Sequence, residues 1–200
     1  MNMVKEKNDN EEKLKIADNK QITKREQSIK NKREFINIIK DLLNSEKVLE
    51  MNQYRQHFDT TCFKHCLEVS YISYIICKKL GLDYVSVARG GMLHDLFLYD
   101  WRLPHDNYGV KGKHAFSHPT IALMNASKIF DLNDIEKDII LNHMWPVTIY
   151  RLPKYKETWI VTVVDKLNAL NSCYKYYKVR LQNGKNKLLQ AVHKRKLLSN

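Results

Sequence analysis

No stretch of about 18 consecutive apolar residues occurs in the 200-residue chain, which leaves no candidate for a membrane-spanning helix. The N-terminal run MNMVKEKNDNEEKLK is charged where a signal peptide carries an apolar core, so no secretory leader is read there. A cytoplasmic protein without a membrane partner is expected. Cysteine is scarce: Cys62, Cys66, Cys77 and Cys173 form neither a CxxC pair nor a dense framework, and reduced, packed thiols are expected rather than disulfides. Cys62 and Cys66 stand four apart around His65 and admit a reading as soft metal ligands, against the commoner one of half-buried helix cysteines. No segment alternates apolar and polar residues as a strand would, although WIVTVV has strand propensity, and no internal repeat is found. Acid is missing from residues 171–200, which hold eight Lys or Arg, two thirds of the net charge of +12. Such a tail can contact nucleic acid or anionic lipid, with Tyr174, Tyr176 and Tyr177 available to stack on bases. A solvated helix end is the plainer reading.

What is present is helical periodicity. Residues 1–30 are too polar to order themselves by burial and are expected to form a flexible, charged lead-in, with folded structure starting at Glu34. From there Phe35, Ile38, Ile39 and Leu42 share a helix face. A helix over about 60–80 places His65, Val69, Ile72 and Ile76 on one stripe and ends at Gly81 as C-cap. Asp83 caps another, expected to run to Leu98, with Val87, Gly91, His94 and Leu98 at helical spacing and Gly90 and Gly91 permitting close approach. Residues 100–116 gather Pro, Asn, Gly and charge and are expected to form a loop. Ser117 then caps a helix to Phe130, with Pro119 in its first turn and His118 at its mouth. Asn133 and Glu136 form a capping-box pattern ahead of Ile135, Ile139 and His143. A last long helix starts near Lys156 and carries Thr158, Val161, Asp165 and Asn168 along one side. The expected class is all-α.

Eight His and 12 Asp in this chain give about half a His-Asp pair by chance, and the chain has two. His105-Asp106 follows Pro104 in the polar loop, whereas His94-Asp95 closes an apolar helical run and is the pair held by a rigid element. His94-Asp95 belongs to an ordered series, His65, His94-Asp95, His118, His143 and Asp165. Its intervals of 29, 23, 25 and 22 residues each fit one helix plus one loop. Successive helices then deliver ligands to one centre. Imidazoles and carboxylates of this kind suit iron, manganese, zinc or cobalt and do not suit calcium or a thiolate cluster. Asp95 and Asp165, each in apolar surroundings, need a partner to offset the cost of burial, and a metal supplies one.

The order H…HD…H…H…D over about residues 57–170 resembles the HD-domain superfamily. GGMLHDLFLYDW, HAFSHPTIALMNA, IILNHMWP and IVTVVDKLNAL are similar to a group of HD proteins from Firmicutes that carry the label phosphohydrolase by analogy. The resemblance implies a helical bundle around a dinuclear site, with domains at 31–178 (HD) and 179–200 (basic tail). It implies that His65, His94, Asp95 and Asp165 hold one metal and His118 and His143 the second, with Asp95 bridging. The implied cofactors are two divalent or mixed-valent transition metals, iron or manganese ahead of zinc, cobalt or nickel. The implied activity is hydrolysis of a phosphoester or phosphoanhydride of a nucleotide or other small phosphorylated metabolite by metal-activated hydroxide. His94 and Asp95 are the catalytic candidates.

Two departures bear on substrate. Many HD hydrolases carry a Lys three residues after the metal-binding Asp, where this chain has Leu98, so Arg102, Lys111, Lys113 and His114 are the candidates for holding phosphate. His143-Met144 replaces the His-His of the cyclic-dinucleotide branches. The six-residue pattern is also similar to HD hydrolases of dinucleoside tetraphosphates and to the superfamily's di-iron oxygenases of small polar substrates. A metal-stabilised module that binds a nucleotide or a partner without turnover is a third reading.

Overall fold

The computed structural model describes residues 21–57, 60–103 and 113–198. The chain divides into two units, Met1–Lys40 and Asp41–Asn200. The first holds α1 (residues 21–38), which starts well before Glu34. Its residues 21–30 are helical yet exposed throughout: Lys, Arg, Glu and Gln are good helix formers and need no core to sustain a turn. Burial begins at Phe35 and Ile39.

In the second unit the short helices α2 (Lys40–Leu43) and α3 (Glu46–Glu50) lead through a 3₁₀ turn, Met51–Gln53, into an antiparallel pair of strands, β1 (Arg55–His57) and β2 (Thr60–Thr61). The sequence predicts no strand, and elements of three and two residues are too short to display a period of two. Among the described residues, each element after them is a helix: α4 (Cys62–Leu80), α5 (Tyr84–Leu93), α6 (His114–Ser127), α7 (Asp134–Asn142) and α8 (Lys156–Leu198). The fold is all-α, and WIVTVV lies inside α8.

α4 starts where the Thr61 hydroxyl accepts the Lys64 amide and stops at Gly81, whose φ of 68° is the left-handed cap that glycine adopts without strain. Its buried face differs from the expected stripe. His65 and Val69 are buried, but Ile72 is 42% exposed, and the buried line turns instead through Cys66, Ser70, Ser73 and Cys77. The cause is the close approach of α5: a Cβ at Gly91 would stand 3.0 Å from the Ser70 Cα, and the Ser70 hydroxyl donates to the Ala88 carbonyl at 2.6 Å. Gly90 plays the same part toward α7, where an added Cβ would lie 3.0 Å from Ile139.

α5 is capped by Asp83, which accepts from the Val85 and Ser86 amides. It ends at Leu93, short of the expected Leu98, so His94 and Asp95 occupy the turn beyond it, and Leu98 sits at φ 55° as the chain reverses. α6 begins at His114 rather than after Ser117, whose hydroxyl donates back to the Lys113 carbonyl at 3.3 Å instead of capping. Pro119 therefore lies inside the helix. α7 carries the expected capping box between Asn133 and Glu136. α5 packs against α4 and α7, α8 against α4 and α7, and α6 against α7, around a core of Val69, Cys77, Val87, Ile139, Val161 and Val164. Among the described residues, no helix is long and apolar enough to cross a membrane.

The glycine contacts make a stability prediction. Gly91→Ala pushes a methyl into the α4 backbone and is expected to lower unfolding free energy by about 1–3 kcal/mol, read from the midpoint of a urea melt at unchanged slope; an unaltered midpoint refutes the close-approach account.

Candidate metal centre

Five helices or helix ends converge on one buried cluster. His65 comes from the first turn of α4, His94 and Asp95 from the turn after α5, His118 from α6, His143 from the residue closing α7, and Asp165 from the middle of α8. All six are buried. The Asp95 carboxylate lies at the middle. Its Oδ2 stands 3.3 Å from His94 Nε2 and 3.8 Å from His65 Nε2, while its Oδ1 stands 3.2 Å from His118 Nε2 and 3.5 Å from His143 Nε2. Asp165 Oδ1 faces the first pair, 3.0 Å from His65 Nε2 and 3.8 Å from His94 Nε2. One carboxylate thus offers a separate oxygen to each of two histidine pairs.

The four rings are set by what their other nitrogens do. His94 Nδ1 lies 2.7 Å from the Gly91 carbonyl, His118 Nδ1 2.8 Å from the His114 carbonyl and His143 Nδ1 2.9 Å from the Ile140 carbonyl. A carbonyl only accepts, so each Nδ1 carries a proton and Nε2 is the nitrogen turned inward, where a metal ion would be bound. His65 Nδ1 meets the Asn168 Oδ1 at 3.2 Å, and the Asn168 amide nitrogen donates to Glu68 at 3.2 Å, which orients that amide as an acceptor toward the ring.

With those tautomers, His118 Nε2 and His143 Nε2 point lone pair to lone pair at 3.0 Å. Two acceptors at that distance repel, and a cation between them, a proton or a metal ion, relieves the contact. His94 Nε2 and Asp95 Oδ1 are buried without a well-aligned hydrogen-bond partner, a cost that metal coordination removes. Burial alone would disfavour a charged His94, yet with no metal bound the Asp95 carboxylate overrides it and holds the imidazole pKa well above its usual value, so the proton on Nε2 is the one a bound cation would replace. Burial would likewise raise Asp95 and Asp165, but the surrounding imidazoles keep both well below the ordinary carboxylate range. Burial brings His143 down to about 4, leaving it neutral at pH 7. The donor set, imidazole nitrogens and carboxylate oxygens around a position that calls for cations, fits borderline transition metals.

Cys62 and Cys66 lie beside Asp95 and complete a compact group with it. Burial raises both thiols, Cys66 strongly, and Cys62 donates to the Asp95 carbonyl at 3.2 Å. With no metal bound, both are protonated thiols packed beside Asp95.

Of the residues expected to hold phosphate, His114 is the one in contact with the cluster. Its ring stacks on His118 with centroids 4.5 Å apart, and its Nδ1 meets the Tyr99 hydroxyl at 2.9 Å. Lys113 is exposed at the start of α6. Arg102 is exposed and paired with Asp100 at 2.8 Å. Lys111 and the pair His105-Asp106 lie outside the described residues.

Three neighbours of the cluster had no role in the sequence reading. Gln56 on β1 donates to Asp95 Oδ2 at 2.5 Å, and nothing in a two-stranded ribbon of five residues signals it. Asn168 stands one turn beyond Asp165 on the same face, a spacing that marks it once Asp165 is taken as a ligand. Lys166 donates to the His143 carbonyl at 2.9 Å and stands 3.8 Å from Asp165 Oδ2; its side chain is 34% exposed.

The HD domain family matches residues 62–170, more than half of the chain. The chain belongs to the HD domain family. That membership points to metal-dependent hydrolases, and HD domains bind divalent metals. Among curated proteins, Ribonuclease Y of Finegoldia magna is 33% identical over 76 residues, 36% of this chain and 15% of that protein. Ribonuclease Y of Clostridium perfringens is 38% identical over 50 residues, 25% of this chain and 10% of the relative. That of Clostridium tetani is 38% identical over 56 residues, 27% and 11%. The chain therefore spans a small fraction of the length of these relatives. No solved structure matches.

Because Asn168 fixes the tautomer of His65 from outside the donor set, Asn168→Ala is expected to weaken metal affinity about 10–100-fold without altering helix content. Chelator competition monitored by metal analysis measures it; an unchanged affinity removes Asn168 from the site.

Proposed function

We propose that this HD domain is a metal-dependent phosphohydrolase that cleaves a phosphoester or phosphoanhydride of a nucleotide or other small phosphorylated metabolite. In this reading His65, His94, Asp95 and Asp165 hold one ion, His118, His143 and Asp95 the second, with iron or manganese ahead of zinc, cobalt or nickel. The observation that carries it is the division of the Asp95 oxygens between two histidine pairs, 3.3 Å from His94 on one side and 3.2 Å from His118 on the other. When bound, a metal pair supplies a water-derived nucleophile near neutral pH and Lewis acidity toward a phosphoryl oxygen.

The chain's own groups do the positioning. Gln56 holds one Asp95 oxygen and so fixes the plane of the carboxylate. The backbone carbonyls behind His94, His118 and His143 prevent those rings from turning. Positive charge for the phosphate comes from Lys166, anchored on the His143 carbonyl and part-exposed at the edge of the cluster, which replaces the lysine missing at Leu98. Lys113 and His114, with Arg102, are the described candidates for the substrate side, and Lys111 joins them on the sequence reading alone.

Similarity to stretches of Ribonuclease Y favours a second substrate within the same chemistry, an RNA phosphodiester. It joins dinucleoside tetraphosphates and mononucleotides in the substrate panel.

Protein loaded with iron or manganese is expected to release phosphate or nucleotide product from one member of that panel, with and without oxygen. Asp95→Asn and His94→Ala should abolish turnover while the helical signature persists. Lys166→Ala should keep its metals and lose about 10²-fold or more in kcat/KM. Substrate-dependent oxygen consumption with no anaerobic hydrolysis would transfer the site to the oxygenase reading. Intact metal content without turnover on any member would leave a binding module.

A further inference from the structure

α8 is 43 residues long, and only its first part is held by the core. Among the described residues, the last buried side chain on it is Asn168. The helix continues to Leu198, roughly 45 Å at 1.5 Å per residue. A helix in water without packing is marginal at this composition, so the projecting part calls for a surface to pack against.

Its exposed apolar residues are not scattered. Val163, Leu167, Leu170, Tyr174, Tyr177 and Leu181 are 53%, 59%, 65%, 65%, 53% and 67% exposed. Their spacings alternate four and three, the a/d repeat of a coiled coil. In that register the next core positions of the sequence are Gly184, Leu188, Ala191, Arg195 and Leu198, so the apolar repeat is unbroken through Leu181 and recurs beyond it at Leu188 and Leu198. From Leu170 onward the positions flanking the seam, e and g, are Asn171, Cys173, Lys178, Arg180, Lys185, Lys187, Val192 and Lys194; before it they are Val164, which is buried, and Lys166. Five of the eight from Leu170 onward are basic and none is acidic.

The flanking charge identifies the occupant. A second copy of this chain in parallel register would set Arg180 against Lys185, and an antiparallel copy would also bring basic flanks together, which is repulsive in either case. A lipid surface takes a wider apolar face than two positions in seven. Single-stranded nucleic acid takes a run of stacking rings, and of the six exposed seam residues Tyr174 and Tyr177 have rings while Val163, Leu167, Leu170 and Leu181 are aliphatic. We propose that the exposed seam of α8 is a docking surface for an acidic amphipathic helix of another protein, paired with it as a two-stranded coiled coil.

The test uses the full, metal-loaded chain and synthetic four-heptad peptides with Ile at a, Leu at d and either Glu or Lys at every e and g. Sedimentation should find the protein alone to be a monomer. The Glu peptide should bind one to one, at least about tenfold more weakly when salt screens the flanks. The Lys peptide should bind about a hundredfold more weakly than the Glu peptide. Lys178→Glu with Arg180→Glu should shift the preference toward the Lys peptide. Leu170→Ser with Leu181→Ser should lose both peptides while metal content and circular dichroism stay unchanged, since both leucines are exposed. Equal binding of the two peptides, or of neither, overturns the proposal. Self-association abolished by the double serine variant would assign the seam to a second copy instead. Oligouridylate binding lost in that variant, with no peptide bound, would assign it to nucleic acid.

Discussion

A carboxylate almost wholly removed from water, placed between four imidazoles, is the constraint around which the second unit is arranged. Removing Asp95 from water costs several kcal/mol unless positive charge meets it, and each of its oxygens looks at a different pair of rings. For that to happen α5 must stop at Leu93, so that the chain turns and presents His94 and Asp95 together. It must also approach α4 and α7 closely enough for His65 and His143 to reach the same carboxylate. Gly91 against Ser70 and Gly90 against Ile139 set that approach. The packing of α4, α5 and α7 thus follows from a requirement of the site.

The helix ends contribute twice. α5 and α7 both terminate at the cluster, with His94 and His143 as their closing residues. Carbonyls in a helix's last turn have no intrahelical amide to accept, and the Gly91 and Ile140 carbonyls accept the Nδ1 protons of those histidines instead. One hydrogen bond satisfies an orphaned carbonyl and fixes a tautomer. The same geometry aims the negative ends of two helix dipoles at the place where positive charge is needed. His65 sits at the start of its helix, where no such carbonyl exists, and takes its partner from α8 through Asn168.

The order and spacing of His65, His94-Asp95, His118, His143 and Asp165 are legible in the sequence because each lies on or beside a strongly periodic helix. The capping box at Asn133 and the left-handed cap at Gly81 are legible for the same local reason. Where the α5 helix ends is not, since Leu96 and Phe97 are buried and keep up an apolar pattern through a turn that is not helical. Pro119 suggested a first turn, yet α6 starts at His114, because a proline deeper in a helix is tolerated when the missing amide bond is offset by packing. On α4 both candidate faces are apolar enough to bury, and the serine face was chosen because small side chains let α5 in. Gln56 and Lys166 reach the cluster through tertiary placement alone, and pairings between residues 39 or 23 apart in sequence leave no periodic trace.

α8 serves two environments along one axis. Thr158, Val161, Asp165 and Asn168 face the core, and Val163, Leu167 and Leu170 lie exposed within the same turns. Fraying of an unsupported helix proceeds from its free end, and between that end and Asp165 stands Asn168, tied to both His65 and Glu68. Loss of order in the projecting part therefore stops before it reaches Asp165. The cluster can be complete whether or not the seam is covered, so metal content and turnover report on the site, and peptide binding reports on the seam.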